Sequence, residues 1–173
     1  SLASDLCQSI GEILIEAIRK RGRASFAVSG GSTPIQLFNK LSLLNIDWTK
    51  VDLTLADDRW VDPNSTDSNE LLVRTHFIKN KGVKVNFFPL KNDSKTAAEG
   101  LKNSEKILRN ITFPFDVIVL GMGVDGHTAS LFPCSEELSE AMDLNNPNIL
   151  ILTSPKTAPY QRISLTAKVI TDC

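Results

Sequence analysis

The chain has 173 residues, of which 42% are hydrophobic and 23% are charged, a composition typical of globular domains. Its 20 acidic and 19 basic side chains give a net charge of -1, which argues against a surface built to bind nucleic acid or a membrane. The apolar runs are far shorter than a bilayer span and no secretory leader is visible at the start, so we expect one cytoplasmic domain over residues 1–173.

The first predicted element is a helix that ends before Gly22. Apolar residues recur at steps of three and four, and they would form one helical face. The basic run 19–21 suits the C-terminal end of such a helix. The residues of this face are Leu2, Leu6, Ile10, Ile13, Leu14, Ala17 and Ile18.

Strands and helices alternate along the rest of the chain. Thr33 and Pro34 have the pattern of an N-cap and a first helical residue, and two further helices are predicted over 68–77 and 94–109. The predicted strands are ASFAV (24–28), VDLTLA (51–56), VNFFPL (85–90), FDVIVLG (115–121), NILILT (148–153) and RISLT (162–166).

Strands that alternate with helices and consist of continuous apolar runs predict an α/β fold with a mainly parallel sheet covered on both faces. In such sheets, ligands bind beyond the carboxyl ends of the strands, where the strand order reverses. Three strand exits are therefore candidate binding segments: residues 29–34, 56–61 and 121–130.

Cysteine and histidine are scarce. Cys7, Cys134 and Cys173 form no paired spacing, so we expect reduced thiols and no disulfide framework. His76 and His127 lie far apart in the chain without the spacing of metal ligands, and we expect no metal site.

The first exit has the sequence SGGSTP. Gly30 and Gly31 allow successive N–H groups to point into one concavity, and Ser32 and Thr33 add hydroxyl donors. A phosphate or another small anion fits this arrangement. An ordinary turn between a strand and a helix explains the same residues, so the loop by itself leaves both interpretations open.

The second exit has the sequence ADDRWVDPNSTDSNE. Arg59 could hold a phosphate or a carboxylate in a bidentate grip, and Asp57 or Asp58 could bind a sugar hydroxyl. The alternative is a local aspartate–arginine pair on a solvated rim, with Trp60 packed beneath it.

The third exit is rich in glycine and carries a histidine. Gly121 and Gly123 would let a ligand approach the backbone, and they would offer amides to a developing negative charge. Asp125 could orient the imidazole of His127, which as a free base can take a proton from water. We predict a helix start over 128–132, whose dipole would disfavour the protonated ring. The alternative is a turn histidine whose hydrogen bonds are purely structural.

Three motifs, SGGSTP, DDRWVDPNSTDSN and GMGVDGHTASLFP, resemble in this order those of the 6-phosphogluconolactonase family, and SPKTAPYQRISLT is similar to a later family segment. The resemblance runs over nearly the whole chain. It implies a three-layer α/β/α sandwich of the Rossmann-like kind. It also implies hydrolysis of 6-phospho-D-glucono-1,5-lactone to 6-phosphogluconate in the oxidative pentose phosphate pathway.

The resemblance also implies roles for individual residues. His127 matches the general base of the family, Asp125 would orient it, and amides around 121–123 would stabilise the oxyanion. Arg59 would clamp the 6-phosphate, with Arg162 as a further candidate. The loop against which this phosphate would lie comprises Gly30, Gly31, Ser32 and Thr33. Because water attack on a strained ester needs only a base and positioned charge, we expect no metal and no organic cofactor.

The chain departs from the family pattern in two respects. Asp58 stands where many members carry glutamate, which leaves the role of Arg59 unchanged. The family usually runs well beyond 200 residues, so we expect that this chain is truncated at both ends and lacks the family's C-terminal segment.

Two other functions stay open at this point. A glucosamine-6-phosphate deaminase or isomerase shares the glycine loops, but it tends to carry GHIAFNEP where this chain has GHTASLFP. A sugar-phosphate sensor without turnover would need the first loop and Arg59, but it would not need His127. The expected partner is a small sugar-phosphate lactone, and the sequence specifies no oligomeric state.

Overall fold

The structure, a computed structural model, describes residues 1–173. It contains seven strands, six α-helices and two short 3-10 helices. The strands are β1 (Ala24–Val28), β2 (Val51–Leu55), β3 (Asp57–Arg59), β4 (Asn86–Phe88), β5 (Val117–Val119), β6 (Leu150–Thr153) and β7 (Arg162–Leu165). The helices are α1 (Leu2–Arg21), α2 (Ile35–Leu41), α3 (Asn69–His76), α4 (Ala97–Leu108), α5 (Leu138–Ala141) and α6 (Ala167–Thr171), with 3-10 turns at Trp48–Lys50 and Asn80–Lys84.

The strands form two sheets. The central sheet has the order β4-β2-β1-β5 and is parallel throughout, which confirms the predicted α/β fold with a mainly parallel sheet. The second sheet has the order β3-β7-β6 and is antiparallel. The sequence predicts the strands β6 and β7 but not their pairing in a separate sheet, and it does not predict β3, because the Asp-Asp-Arg run lacks the apolar pattern of a strand.

The first helix follows the predicted register closely. Gly22 ends α1 in a left-handed conformation with φ 79°, and its N–H donates to the carbonyl of Ile18. The buried face is narrower than the predicted one, since Leu2, Leu6 and Ile13 are exposed. Cys7, Ile10, Gly11, Leu14 and Ala17 are the buried residues of α1.

Three other helix starts differ in how well they match the sequence pattern. Ser68 caps α3 by accepting from the amide of Leu71, and Thr96 and Glu99 form a reciprocal capping box on α4. The predicted cap at Thr33 is wrong. Pro34 occupies the N-cap position of α2 and no side chain caps this helix.

The core and the strand order bring the predicted exits together. Side chains from the central strands and the helices share one cluster of 29 buried residues, so the sheet is held rigidly between its helices. At the carboxyl edge of the sheet, Val28 pairs with both Leu55 and Val119. The amide of Ser29 donates to Val119 O at 2.9 Å, and that of Ala56 donates to Val28 O at 2.8 Å. All three exits therefore leave from one edge, where β5 lies on the opposite side of β1 from β2.

The structure also describes the state of the cysteines and the length and apolar character of the helices. All three cysteines are free thiols. None of the helices combines the length and the apolar character needed to cross a bilayer.

Candidate active site

An imidazole–carboxylate pair lies just beyond the carboxyl end of β5. The Nδ1 atom of His127 is 2.5 Å from Oδ1 of Asp125. This hydrogen bond holds the pKa of Asp125 below its usual value, so that the carboxylate stays ionised and can only accept. In a neutral imidazole the proton then sits on Nδ1, and the lone pair is on Nε2. The side chains are 28% and 41% exposed for His127 and Asp125, so water can reach the pair.

The loop that carries this pair is closed by its own backbone. The amide of Gly123 donates to the carbonyl of His127 at 2.8 Å, and Gly126 adopts φ 85°, which favours glycine. A Cβ atom at Gly123 would lie 2.2 Å from both Cε1 and Nδ1 of His127. Glycine is therefore required at this position so that the backbone can pack against the ring. Because the Gly123 amide is already bonded, only Gly121 of these two retains an N–H without a protein acceptor.

The predicted helix start over 128–132 is wrong. Thr128 and Leu131 form an isolated antiparallel bridge, with the amide of Leu131 donating to Thr128 O at 2.9 Å, and Ala129 adopts φ 48°. Pro133 follows at once and would oppose continuation of a helix. His127 is consequently not at a helix N-terminus, so the dipole expected from a helix over 128–132 does not act on its ring.

Two arginines lie side by side on the second sheet. Arg59 and Arg162 are directly opposite in the antiparallel pair β3–β7, so their side chains project from one face. Burial lowers the pKa of Arg162, and the neighbouring positive charge of Arg59 lowers it further. Their hydrogen bonds go to oxygens of Asp67, Asn69 and Pro159, none of them a carboxylate oxygen. Two adjacent guanidinium groups held only by neutral acceptors are suited to bind an anion.

The two aspartates of the second exit are buried. Asp57 accepts from the hydroxyl of Ser130 at 2.5 Å, and burial raises its pKa despite that bond. Asp58 accepts from the amides of Asn69 and Glu70 in the first turn of α3 at 2.8 and 3.2 Å. Asp58 therefore serves to cap a helix within the protein. A sugar-hydroxyl contact of Asp57 remains a prediction.

Asn69 connects the first exit to the second. Its Oδ1 accepts from Nη1 of Arg59 at 3.2 Å, and its Nδ2 donates to the carbonyl of Asp57 at 2.9 Å. Gly30 packs directly against this amide group, because a Cβ atom there would lie 1.8 Å from Oδ1 of Asn69. One buried side chain thus fixes the position of the glycine loop relative to the Arg59 guanidinium.

The glycine loop itself is open to solvent. Gly31 has φ 93°, and Gly31, Ser32 and Thr33 are exposed. The amides of residues 30–33 donate to no acceptor in the protein. The loop therefore offers backbone donors beside Arg59, although no hydrogen bond joins Ser32 or Thr33 to either arginine.

Phe132 links the arginine pair to the imidazole. Its ring stacks on that of His127 with centroids 4.0 Å apart and planes at 19°. The guanidinium carbon of Arg162 lies 4.9 Å from the centroid of the same ring. The imidazole centroid and the guanidinium carbon of Arg162 can therefore be no farther apart than these two distances together.

Sequence reasoning missed three residues of the site: Asn69, Ser130 and Phe132. The sequence places Asn69 only at a helix start, and it places Ser130 only in the predicted helix start over 128–132. Phe132 was placed on a helix that does not form. The one local signal for Asn69 was its place directly after the Ser68 cap, but nothing in the sequence indicated its contact with Gly30.

The fold and the site together have the features of an α/β protein that binds a small anionic ligand next to a basic imidazole. A family model described as glucosamine-6-phosphate isomerases/6-phosphogluconolactonase matches residues 1–173. The chain belongs to this family.

Several individual relatives are 6-phosphogluconolactonases, one of the two activities in that description. The chain is 40% identical to a 6-phosphogluconolactonase of Rhizobium meliloti, covering 99% of this chain and 74% of the relative. It is 41% identical to one of Neisseria meningitidis, with 97% and 73% coverage. The crystal structure of a 6-phosphogluconolactonase from Shewanella baltica superposes with a TM-score of 0.96 at 46% identity, covering 99% of this chain and 72% of the other.

Proposed function

We propose that this chain hydrolyses 6-phospho-D-glucono-1,5-lactone to 6-phospho-D-gluconate, a step of the oxidative pentose phosphate pathway, with His127 as the general base. The observation that carries the proposal is the 2.5 Å contact between His127 Nδ1 and Asp125. It is supported by relatives that are themselves 6-phosphogluconolactonases.

The first chemical step is attack of water on the lactone carbonyl. The lone pair on Nε2 of His127 removes a proton from that water as the new C–O bond forms. Asp125, bonded to Nδ1, stabilises the imidazolium that results and keeps the ring in one tautomer. The proton then passes to the ring oxygen of the lactone as the ester C–O bond breaks, and the ring opens to the acid.

Negative charge develops on the carbonyl oxygen during this attack. The Gly121 amide has no acceptor in the protein and is our candidate donor to that oxygen. Gly123 has a different role, since its amide is bonded within the loop and its lack of a side chain makes room for the imidazole.

Binding of the 6-phosphate is assigned to the other side of the site. Arg59 and Arg162 supply two adjacent positive charges, and the amides of 30–33 supply neutral donors. Holding the phosphate there orients the lactone carbonyl toward His127, so that binding energy from a remote group is used to position the reacting atoms. The location in the cytoplasm and the single-domain organisation stay predictions.

The test compares hydrolysis of the lactone by the wild type and by His127→Ala, corrected for spontaneous hydrolysis. We expect kcat to fall by about 10²- to 10⁴-fold, the usual contribution of a general base. Calorimetric binding of 6-phosphogluconate should be retained. Wild-type turnover in His127→Ala would refute the assignment.

Two controls accompany this variant. His76→Ala removes the other histidine, which lies at the end of α3 outside the site, and should leave turnover unchanged. Arg59→Ala should instead weaken product binding by about 1.5–3 kcal/mol, the scale of a charge-assisted contact. Glucosamine-6-phosphate is the control substrate, since release of ammonia from it would favour the deaminase alternative.

A further inference from the structure

Phe132 contacts both halves of the proposed site and has no assigned role in it. The residue is 3% exposed, so its ring is closely packed and a shift of one neighbouring group is transmitted through it to the other. Its face stacks on the imidazole of His127, and the guanidinium of Arg162 lies over the same ring. The aromatic ring thus contacts both the base and an anion-binding arginine.

The local sequence explains how a residue five positions after His127 returns to it. The hydrogen bond from Leu131 N to Thr128 O closes a tight turn, and the positive φ of Ala129 lets the chain reverse there. Phe132 then follows the reversal, and its ring meets the imidazole almost face to face.

The stacking matters because two other restraints on the imidazole act at its Nδ1 side. Asp125 bonds the Nδ1 atom, and the backbone of Gly123 lies against Nδ1 and Cε1. Neither of these contacts fixes the tilt of the ring plane. Stacking on Phe132 does, and the tilt decides where the Nε2 lone pair points.

Arg162 also lacks strong polar restraints. Its Nε atom is buried without a partner, and its Nη2 atom makes one long bond of 3.4 Å to the carbonyl of Pro159. The positive charge of the neighbouring Arg59 repels it, and the carboxyl groups of Asp57 and Asp58 attract it, although no hydrogen bond joins them to it. The contact between its guanidinium and the face of Phe132 is therefore one of the few direct restraints on its position.

We propose that Phe132 is a positioning residue that fixes the imidazole of His127 relative to the guanidinium of Arg162 and so couples binding of the phosphate group to alignment of the base. This inference rests on the proposed function for the roles of His127 and Arg162. When an anion draws the guanidinium toward itself, the ring and the imidazole stacked on it shift together. Substrates without the phosphate would leave the base less well aligned.

The test is Phe132→Leu, which keeps an apolar side chain but removes the ring face. We expect kcat to fall about 10-fold, as for a small displacement of a reacting group. The Kd of 6-phosphogluconate should rise about 5-fold, within the range of a lost cation–π contact. Phe132→Tyr restores a ring and should keep both values within about 2-fold of the wild type.

Phe115→Leu is the matched control. Phe115 is 2% exposed and also packs against an aromatic ring, that of Phe113, but it contacts neither His127 nor Arg162. We expect a similar loss of stability there with kcat and Kd unchanged. Equal effects of Phe115→Leu and Phe132→Leu on kcat and Kd would overturn the inference, because they would reduce Phe132 to a core residue.

A measurement on the unsubstituted protein keeps the inference testable even if Phe132→Leu does not fold. The ring protons of His127 should show upfield NMR shifts from the stacked ring, and these signals should move when 6-phosphogluconate is titrated. Signals of His127 that stay fixed at saturation would overturn the coupling. Absent turnover in the wild type would instead refute the proposed function, and the binding and NMR results would still decide the inference.

Discussion

Asp58 and Asp125 both follow strands of the central sheet at its carboxyl edge, yet they differ in burial, in hydrogen-bond partner and in role. Asp58 is 2% exposed, and its carboxylate accepts from backbone amides at the start of α3. The side chain of Asp125 is 41% exposed and its carboxylate bonds an imidazole. Burial raises the pKa of Asp58 to about 7, whereas the bond to His127 lowers the pKa of Asp125. The comparison teaches that burial and partner, not position at a strand end, decide whether a carboxylate holds the fold or assists chemistry.

Removing the buried carboxylate should have the largest effect in this comparison. Asp58→Ala leaves the amides of Asn69 and Glu70 without their acceptor, and we expect the free energy of unfolding to fall by about 3 kcal/mol. Urea denaturation followed by circular dichroism measures this loss. Asp93→Ala, at an exposed aspartate, is the control and should change stability little. A loss in Asp58→Ala no larger than in the control would break the comparison.

Removing the exposed carboxylate should affect turnover instead of stability. We expect Asp125→Ala to lower kcat about 30-fold, because the imidazole loses the group that fixes its tautomer and orientation. Its urea midpoint should match that of the wild type, since the Asp125 side chain is exposed. Steady-state kinetics over a pH series measures the change in kcat. Urea denaturation of the same preparation measures the stability. Unfolding at lower urea with unchanged kcat would reverse the roles assigned to the two aspartates.

The raised pKa of Asp58 should also make the stability of the protein depend on pH, with a smaller effect. The pKa of Asp58 is raised from 3.8 to about 7, largely by burial, so the folded protein retains a proton that the unfolded chain releases. The stability that Asp58 contributes is therefore fully present below about pH 4 and is lost as the pH rises toward 7.

Asp58→Asn cannot titrate, and its free energy of unfolding should fall less steeply over this window than that of the wild type. Asp57, whose pKa is also raised by burial, is present in both proteins, so the difference between the two curves reports mainly on Asp58. Thermal or urea unfolding at half-unit steps of pH provides the curves. Parallel curves would show that Asp58 is ionised equally in the folded and unfolded states.

Much of the parallel sheet could be predicted from the sequence, because its strands are apolar runs with clear ends. The ASFAV strand was predicted over the bounds at which β1 forms, and the core strand β2 was placed within one residue. The second sheet could not be predicted in the same way. Its strand β3 is a run of two aspartates and an arginine, and it pairs with β7 through register, which no local pattern encodes.

The candidate site likewise has some features that the sequence predicts and others that depend on the fold. The residue types at the three exits follow directly from the sequence, above all the histidine two positions after Asp125, because chain-local spacing brings that pair together. The folded chain alone places Arg162 beside Arg59, lets Asn69 position Gly30, and stacks Phe132 on the imidazole. Those contacts depend on strand pairing, side-chain packing and a turn at Ala129, and such interactions arise only when the chain is folded.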